Sequence, residues 1–131
     1  MTRLPALVTI KRIYQEPEPA DGRRILVDRL WPRGLSKERA RVESWLKEIA
    51  PSDELRRWFG HDPARWQEFA ARYRDELARQ RPLLDELRSL AAREKITLLY
   101  AAKDEERNNA VVLKELLEAP PRPRSSGQGE G

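Results

Sequence analysis

The residues best suited to chemistry lie in two short polar segments, of which the first runs from Asp28 to Ser36 (DRLWPRGLS). Its two arginines, Arg29 and Arg33, are four residues apart and flank a Trp-Pro pair. Trp and Pro stiffen the loop, so the guanidinium groups can be held in place for a phosphate or carboxylate at little entropic cost. We therefore predict that Arg29 and Arg33 bind an anionic ligand and that Asp28 acts as the catalytic general base or as an orienting group.

A structural alternative uses the same residues. Asp28 and either Arg29 or Arg33 would form a buried ion pair that fixes the loop, and Trp31 would belong to the core. The sequence leaves both hypotheses open. The binding hypothesis is favoured because several polar groups that are costly to bury follow one predicted strand.

The second segment runs from Ala102 to Asn109 (AKDEERNN) and again follows a predicted strand. Lys103 supplies a point charge for an anion near the start of the next helix. The default role of Asp104 is to cap that helix. Asn108 and Asn109 are poor helix formers, so we predict that one of them faces the site, and we select Asn108 as the ligand-binding residue.

Composition excludes several kinds of site. The 131 residues include no Cys and one His, His61, which excludes disulfides, thiolate nucleophiles and Cys- or His-rich metal sites. We expect no cofactor and no metal, and we interpret His61 as a loop or capping residue. The sequence contains no apolar run long enough to cross a membrane, and Met1 to Pro5 lack a signal-peptide core. We expect a cytoplasmic protein without a membrane partner.

The charge balance suggests a second class of function. The chain has 26 basic and 22 acidic residues, a net charge of +4, and residues 1–60 carry 13 bases against nine acids. The alternative to a small-molecule site is therefore a nucleic-acid-binding module, with an arginine stripe formed by Arg23, Arg24, Arg39 and Arg41.

Three apolar stretches predict β-strands, at Leu7–Tyr14, Ile25–Val27 and Lys95–Ala101. The first alternates in part and has one solvated face. The second is a short apolar run typical of a buried strand. The third is apolar on both faces, as a central parallel strand covered on two sides requires.

Helical spacing dominates the middle of the chain. Ser52 is placed to cap a short helix, and Asp62 with Pro63 begins a long one. Pro82 breaks or restarts that helix, which then continues to about Arg93.

Two further segments complete the pattern. A helix capped by Asp104 runs to about Glu118. The stretch Lys37–Ala50 forms either one helix capped by Ser36 or a turn of helix followed by a strand around Val42 to Leu46.

Strands that alternate with helices predict a layered α/β domain with a mainly parallel sheet, in which helices outweigh strands. We expect one domain over residues 1–118, with a loop at Pro17–Gly22, and a disordered tail over residues 119–131 (APPRPRSSGQGEG). In such sheets ligands bind beyond the carboxyl ends of the strands, where both polar segments would meet. The predicted partner is an anionic small molecule or nucleotide, and metal-free transfer or hydrolysis at a phosphate- or glycosyl-bearing substrate is the reaction that fits best.

The strings LVDRLWPRGLSKE (Leu26–Glu38) and TLLYAAKDEERNNAVVL (Thr97–Leu113) carry a family resemblance. The chain resembles the YeaO-like bacterial proteins of domain of unknown function family 488, over nearly all of Leu7–Leu117. The resemblance implies a small three-layer, Rossmann-like α/β domain in the bacterial cytoplasm, with no established reaction. Family members often carry Asn at the position of Asp104, which favours its capping role.

Overall fold

A four-stranded sheet forms the centre of the protein, in a computed structural model that describes residues 8–119. Its strands are β1 (Val8–Arg12), β2 (Arg23–Leu26), β3 (Ser44–Trp45) and β4 (Ile96–Tyr100). The spatial order is β1-β4-β2-β3, and every neighbouring pair is parallel. All residues of β4 are buried, which confirms the prediction of a central parallel strand at this position. The carboxyl ends of β1, β4 and β2 therefore lie side by side at one edge.

Residues 8–119 also form five α-helices and three short 3-10 turns, and all but the last helix lie between strands. The predicted start at Ser52 is confirmed, because its Oγ accepts a hydrogen bond from Leu55 N. Asp62 caps the 3-10 turn Pro63–Arg65, where its carboxylate accepts from Ala64 N, and the long helix predicted to begin there begins at Trp66. The helices are α1 (Lys37–Ala40), α2 (Asp53–Phe59), α3 (Trp66–Ala78), α4 (Arg81–Arg93) and α5 (Asn109–Glu118), and the 3-10 turns are Pro19–Asp21, Lys47–Ile49 and Pro63–Arg65. The helix-rich α/β class predicted from the sequence is confirmed.

The start of α5 differs from the prediction. Asn108, not Asp104, is the N-cap, because its backbone is extended and its Oδ1 accepts a hydrogen bond from Val111 N at 3.1 Å. Asp104 closes the preceding turn, where its Oδ1 accepts from the backbone N–H groups of Glu106 and Arg107. The predicted capping residue is therefore wrong by four positions, and the first turn predicted as helix is a loop.

The ambiguous stretch Lys37–Ala50 takes the second of its two predicted forms. The helix α1 has only four residues and ends at Arg41, whose left-handed backbone (φ 50°) turns the chain towards β3. Ser36 caps α1 as expected, since its Oγ accepts from Arg39 N. The strand is shorter than predicted and pairs with β2.

Two apolar cores cover the two faces of the sheet. The larger core joins the inward side chains of β1, β2 and β4, such as Leu98, to α2, α3, α4 and α5. The smaller core contains Leu26 and Leu99 and is closed by Ala40 of α1 together with Trp31 and Trp45. The second face is therefore covered mainly by the loop that follows β2, which ties the shape of that loop to the sheet.

The predicted loop Pro17–Gly22 contains a 3-10 turn and carries a buried ion-pair cluster. Asp21 accepts hydrogen bonds from Arg24 Nη1 at 2.6 Å and from Lys11 Nζ at 3.0 Å, and its backbone oxygen accepts one from Thr97 Oγ1. Burial opposes ionisation of Asp21, but the hydrogen bonds from Glu18 N, Lys11 and Arg24 together lower its pKa below the usual value. This cluster anchors the crossover between β1 and β2.

Two further expectations concern the ends of the chain and membranes. Most of the predicted tail, residues 120–131, lies outside the described residues, as do residues 1–7. No helix within residues 8–119 is long and apolar enough to cross a membrane.

Candidate functional site

A cleft of about 1070 Å³ opens at the carboxyl ends of β1, β2 and β4. Both polar segments singled out in the sequence line it, and α2 and the α2–α3 connection close one side. The lining includes all five predicted site residues, which are Asp28, Arg29, Arg33, Lys103 and Asn108. The structure thus brings together residues that are far apart in the chain, because parallel strands end at the same edge.

Asp28 follows β2 and is held by neutral donors. Its Oδ2 accepts a hydrogen bond from Ala101 N at 2.9 Å, and its Oδ1 accepts one from Asn109 Nδ2 at 3.1 Å. Within residues 8–119 no cation lies within 4 Å of its carboxylate, so the predicted ion pair with Arg29 or Arg33 is absent. Burial raises the pKa of Asp28, and its two hydrogen bonds offset only part of that rise.

Trp31 fits the structural alternative better. Its Nε1 donates to Leu35 O at 2.6 Å, and its ring meets Trp45 edge-on, with the ring centroids 5.4 Å apart. Trp45 in turn donates from Nε1 to Asp28 O at 2.8 Å. The two indoles therefore fix the backbone on either side of Arg29, while part of Trp31 still lines the cleft.

Arg29 is held by the loop that precedes α2. Its Nε donates to Pro51 O at 3.2 Å. The neighbouring Ser52 is fastened to α3, because its N–H and its Oγ donate to the two carboxylate oxygens of Glu76 at 2.8 and 2.6 Å. Glu76 therefore supports the loop that holds Arg29.

Arg33 and Lys103 are exposed at the rim of the cleft. The backbone oxygen of Arg33 accepts a hydrogen bond from Tyr14 Oη at 2.9 Å, which fixes the loop but leaves the guanidinium group unconstrained. Within the described part of the chain, neither side chain has an acidic partner within 4 Å. Both charges are available to a ligand.

Asn108 and Asn109 play different roles. Asn108 is 2 % exposed, and its Nδ2 donates to Asp104 O while its Oδ1 caps α5. Both of its polar atoms thus serve the start of the helix. Asn109 is the amide beside Asp28, and its Nδ2 also donates to Val27 O at 2.9 Å. The amide that contacts Asp28 therefore comes one residue after the one selected from the sequence, while ligand binding by Asn108 stays a prediction.

Several residues of the cleft were not predicted from the sequence. Arg12 is the last residue of β1 and Tyr14 follows that strand, so both lie at the same edge of the sheet as the two polar segments. The Arg12 guanidinium lies 4.8 Å above the Tyr14 ring, and its Nε donates to Ala101 O and Ala102 O. Arg107 comes from the second polar segment, and Arg56 and His61 come from α2 and the turn after it. Nothing in the sequence around Arg56 or His61 indicates that they reach the cleft.

The cleft is strongly positive. Among the described residues, its lining contains six cationic side chains and two acidic ones, Asp28 and Asp104. The excess of four equals the net charge of the whole chain. Arg56 is paired with Asp53, and Arg107 with Asp104. The remaining four cations have no acidic side chain within 4 Å among the described residues; they are Arg12, Arg29, Arg33 and Lys103.

The predicted arginine stripe for nucleic acid is not formed. Arg24 is 4 % exposed and is bound to Asp21 and to Ala40 O, because it belongs to the buried ion-pair cluster around Asp21. Arg23 forms ion pairs with Glu43 and Glu94. Within residues 8–119 no group of three or more His, Cys, Asp or Glu side chains is placed to hold a metal ion.

Comparison with known proteins relates nearly the whole chain to one family. A family model described as "Inactive DUF488-N3 subclade" matches residues 7–129. Uncharacterised proteins of Mycobacterium tuberculosis and Mycobacterium bovis are each 46 % identical over 110 residues, which cover 84 % of this chain and 92 % of theirs. The uncharacterised protein YeaO of Escherichia coli is 42 % identical over 110 residues, covering 84 % of this chain and 96 % of that protein. No solved structure matches significantly. The chain belongs to the YeaO-like proteins of the DUF488 family.

Proposed function

We propose that the protein binds a phosphorylated small molecule, such as a nucleotide, in the cleft at the carboxyl ends of β1, β2 and β4. The observation that carries this proposal is the concentration of charge: the cleft holds six cations against two acids, and four of the cations lack an acidic partner within residues 8–119. Unpaired like charges repel one another when they share a cleft, and an anion relieves that cost.

The cations divide into two kinds. Arg29 is half-buried and held by Pro51 O, so little conformational entropy is lost when it clamps a phosphate oxygen. Arg33 and Lys103 are exposed and act as rim charges that attract and steer the ligand. Arg12 approaches from β1 on the opposite side of Ala101 from Asp28.

An apolar wall favours a ligand larger than inorganic phosphate. Phe59 and Phe69 both line the cleft, and their rings stack with centroids 4.3 Å apart. The two rings are 5 % and 2 % exposed, so they offer a base or another flat apolar group a narrow apolar contact while its phosphates meet the arginines. This combination supports a nucleotide over a simple dianion.

Binding without turnover fits the family best. The matching family model describes its subclade as inactive. Asp28 would then serve as a hydrogen-bond acceptor that orients the ligand. Metal-free transfer or hydrolysis, with Asp28 as base, is the catalytic form of the same proposal, and product analysis after incubation separates the two.

The test is a thermal-shift and calorimetric screen of nucleotides, sugar phosphates and inorganic phosphate at low ionic strength. We expect a nucleotide to raise the Tm of the wild type. Arg29→Ala should weaken its binding about tenfold or more, since a charge-assisted hydrogen bond contributes about 1.5–3 kcal/mol. Arg33→Ala, which removes an exposed rim charge, should weaken it by a smaller factor. Arg79→Ala is the matched control, because Arg79 is exposed at the end of α3, away from the cleft.

Two results would contradict the proposal. One is the absence of binding by every phosphorylated compound in the screen. The other is an equal loss of affinity in Arg29→Ala and Arg79→Ala, which would mean that only the overall charge of the protein matters.

A further inference from the structure

The amide of Asn109 has a fixed orientation. Its Nδ2 donates to two acceptors, Val27 O at 2.9 Å and Asp28 Oδ1 at 3.1 Å, and an oxygen in that position would repel both. The amide oxygen of Asn109 must therefore point away from Val27 O and Asp28 Oδ1. Within residues 8–119 it has no hydrogen-bond donor, and Asn109 itself is only partly buried. Asn109 lines the cleft.

The carboxylate of Asp28 is a second acceptor beside the amide oxygen of Asn109. Each of its carboxylate oxygens accepts one hydrogen bond from the protein, from Ala101 N and from Asn109 Nδ2. Carboxylate oxygens can each accept a further hydrogen bond. Asp28 and Asn109 therefore offer adjacent acceptors to whatever occupies this side of the cleft.

The group that these acceptors bind must be a donor, and the charge of the cleft limits its kind. A cationic donor would enter a cleft that already has an excess of four positive charges. A neutral donor avoids that repulsion. Two adjacent hydroxyl groups match two adjacent acceptors.

A cation lies close to the acceptor pair. The N–H of Ala101 donates to Asp28 Oδ2, while the carbonyl oxygen of the same residue accepts from Arg12 Nε at 3.2 Å. The acceptors and the guanidinium of Arg12 are therefore fixed to one peptide segment. A ligand with hydroxyls at one end and a phosphate a few bonds away can reach both.

We propose that the ligand carries a ribose phosphate, that Asp28 accepts a hydrogen bond from its 2′-hydroxyl, and that the amide oxygen of Asn109 accepts one from its 3′-hydroxyl. This inference rests on the proposed function and names the sugar that the same cleft selects. An acidic side chain at the end of a parallel strand is a known way for α/β proteins to bind a ribose hydroxyl. The consequence is discrimination between ribose and 2′-deoxyribose.

The experiment compares matched pairs of ligands by calorimetry: ADP with 2′-deoxy-ADP, and ribose 5-phosphate with 2-deoxyribose 5-phosphate. In the wild type we expect the ribose form to bind about tenfold more tightly or better in each pair, since one hydrogen bond to a charged acceptor is lost in the deoxy form. In Asp28→Asn the ratio of the affinity for the ribose form to the affinity for the deoxyribose form should fall towards one. In Asp75→Asn, which makes the same charge change on the exposed face of α3, the ratio should stay at the wild-type value.

The ratio in the wild type decides the inference even if Asp28→Asn fails to fold. Equal affinity for the ribose and deoxyribose forms overturns the ribose assignment and leaves the anion site standing. A ratio that persists in Asp28→Asn also overturns it. If ADP, both sugar phosphates and inorganic pyrophosphate all fail to bind, the proposed function itself fails, and the inference with it.

Discussion

Asn109 Nδ2 lies 3.1 Å from Asp28 Oδ1, and this bond joins the end of β2 to the first residue of α5. The two residues are 81 positions apart. They meet because β4, which precedes α5, is inserted beside β2 in the sheet. The orientation of the Asp28 carboxylate therefore depends on the strand order as well as on its own loop.

Loss of this hydrogen bond should raise the pKa of Asp28 further. The bond from Asn109 favours the ionised carboxylate, so Asn109→Ala is expected to move the pKa upward from its wild-type value. The measurement is a titration of the side-chain carboxyl carbon by NMR. The control is Gln80→Ala, which removes a side-chain amide at the start of α4, outside the cleft, and should leave the pKa of Asp28 unchanged. An unchanged or lower pKa in Asn109→Ala would contradict the geometry.

The raised pKa of Asp28 also predicts a pH dependence of stability. A carboxyl group whose pKa is higher in the folded than in the unfolded chain stabilises the fold when it is protonated, below the unfolded value of about 3.8. That contribution is lost as the pH rises through the folded pKa. Because Asn does not titrate, only the wild type loses this contribution. The Tm of Asp28→Asn minus the Tm of the wild type should therefore increase from pH 3 to pH 7. Scanning calorimetry without added anions measures the two Tm values. A Tm difference that decreases as the pH rises would contradict the burial of Asp28.

Local patterns in the sequence predict the strands and most helix starts because those depend on neighbouring residues. The apolar run of β4 and the Ser52 cap are examples. The failure at Asp104 has a local cause too: Asp and Asn both close turns and cap helices, and an aspartate followed four residues later by an asparagine gives two candidate starts.

The candidate site was predictable as far as the rule about strand ends was applied. It places Asp28 and Lys103 at one edge, and the structure puts both in one cleft. The positions of His61 and Arg56 depend on how α2 packs against the sheet, which no local pattern encodes. The burial of Arg24 likewise depends on a partner, Asp21, whose proline-rich loop has a sequence typical of an exposed segment.

The connection before β2 should be sensitive to one glycine. Gly22 has a φ of +65°, and a Cβ there would lie 2.4 Å from the backbone oxygen of Lys95, which immediately precedes β4. Gly22→Ala is expected to cost about 3 kcal/mol, from strain and from displacement of that backbone. Gly34→Ala is the matched control: its φ is +73°, but no atom of residues 8–119 beyond its chain neighbours lies within 4 Å of the new methyl group, so only the backbone strain of about 1 kcal/mol applies. Urea denaturation measures both, and equal costs would contradict the close approach at Gly22.

The buried cluster of Lys11, Asp21 and Arg24 should contribute strongly to stability. Asp21→Asn removes the negative charge that Lys11 and Arg24 share, and it leaves two cations close together, one of them almost fully buried. Breaking a buried pair in this way costs about 3 kcal/mol or more. Glu18→Gln removes the other carboxylate bound to Lys11, but Glu18 is 64 % exposed, so its loss should cost no more than about 1 kcal/mol.

The same cluster fixes the sign of a second pH effect. The pKa of Asp21 is lower in the folded chain, so its contribution to stability is present above the unfolded value of about 3.8 and is lost as the pH falls through the folded value. The free energy of unfolding of the wild type should therefore approach that of Asp21→Asn in acid, opposite to the trend expected for Asp28→Asn. Urea denaturation of both proteins from pH 7 to pH 3 measures the gap. A gap that stays constant over this range would show that Asp21 acts through its shape and hydrogen bonds alone, without a contribution from its charge.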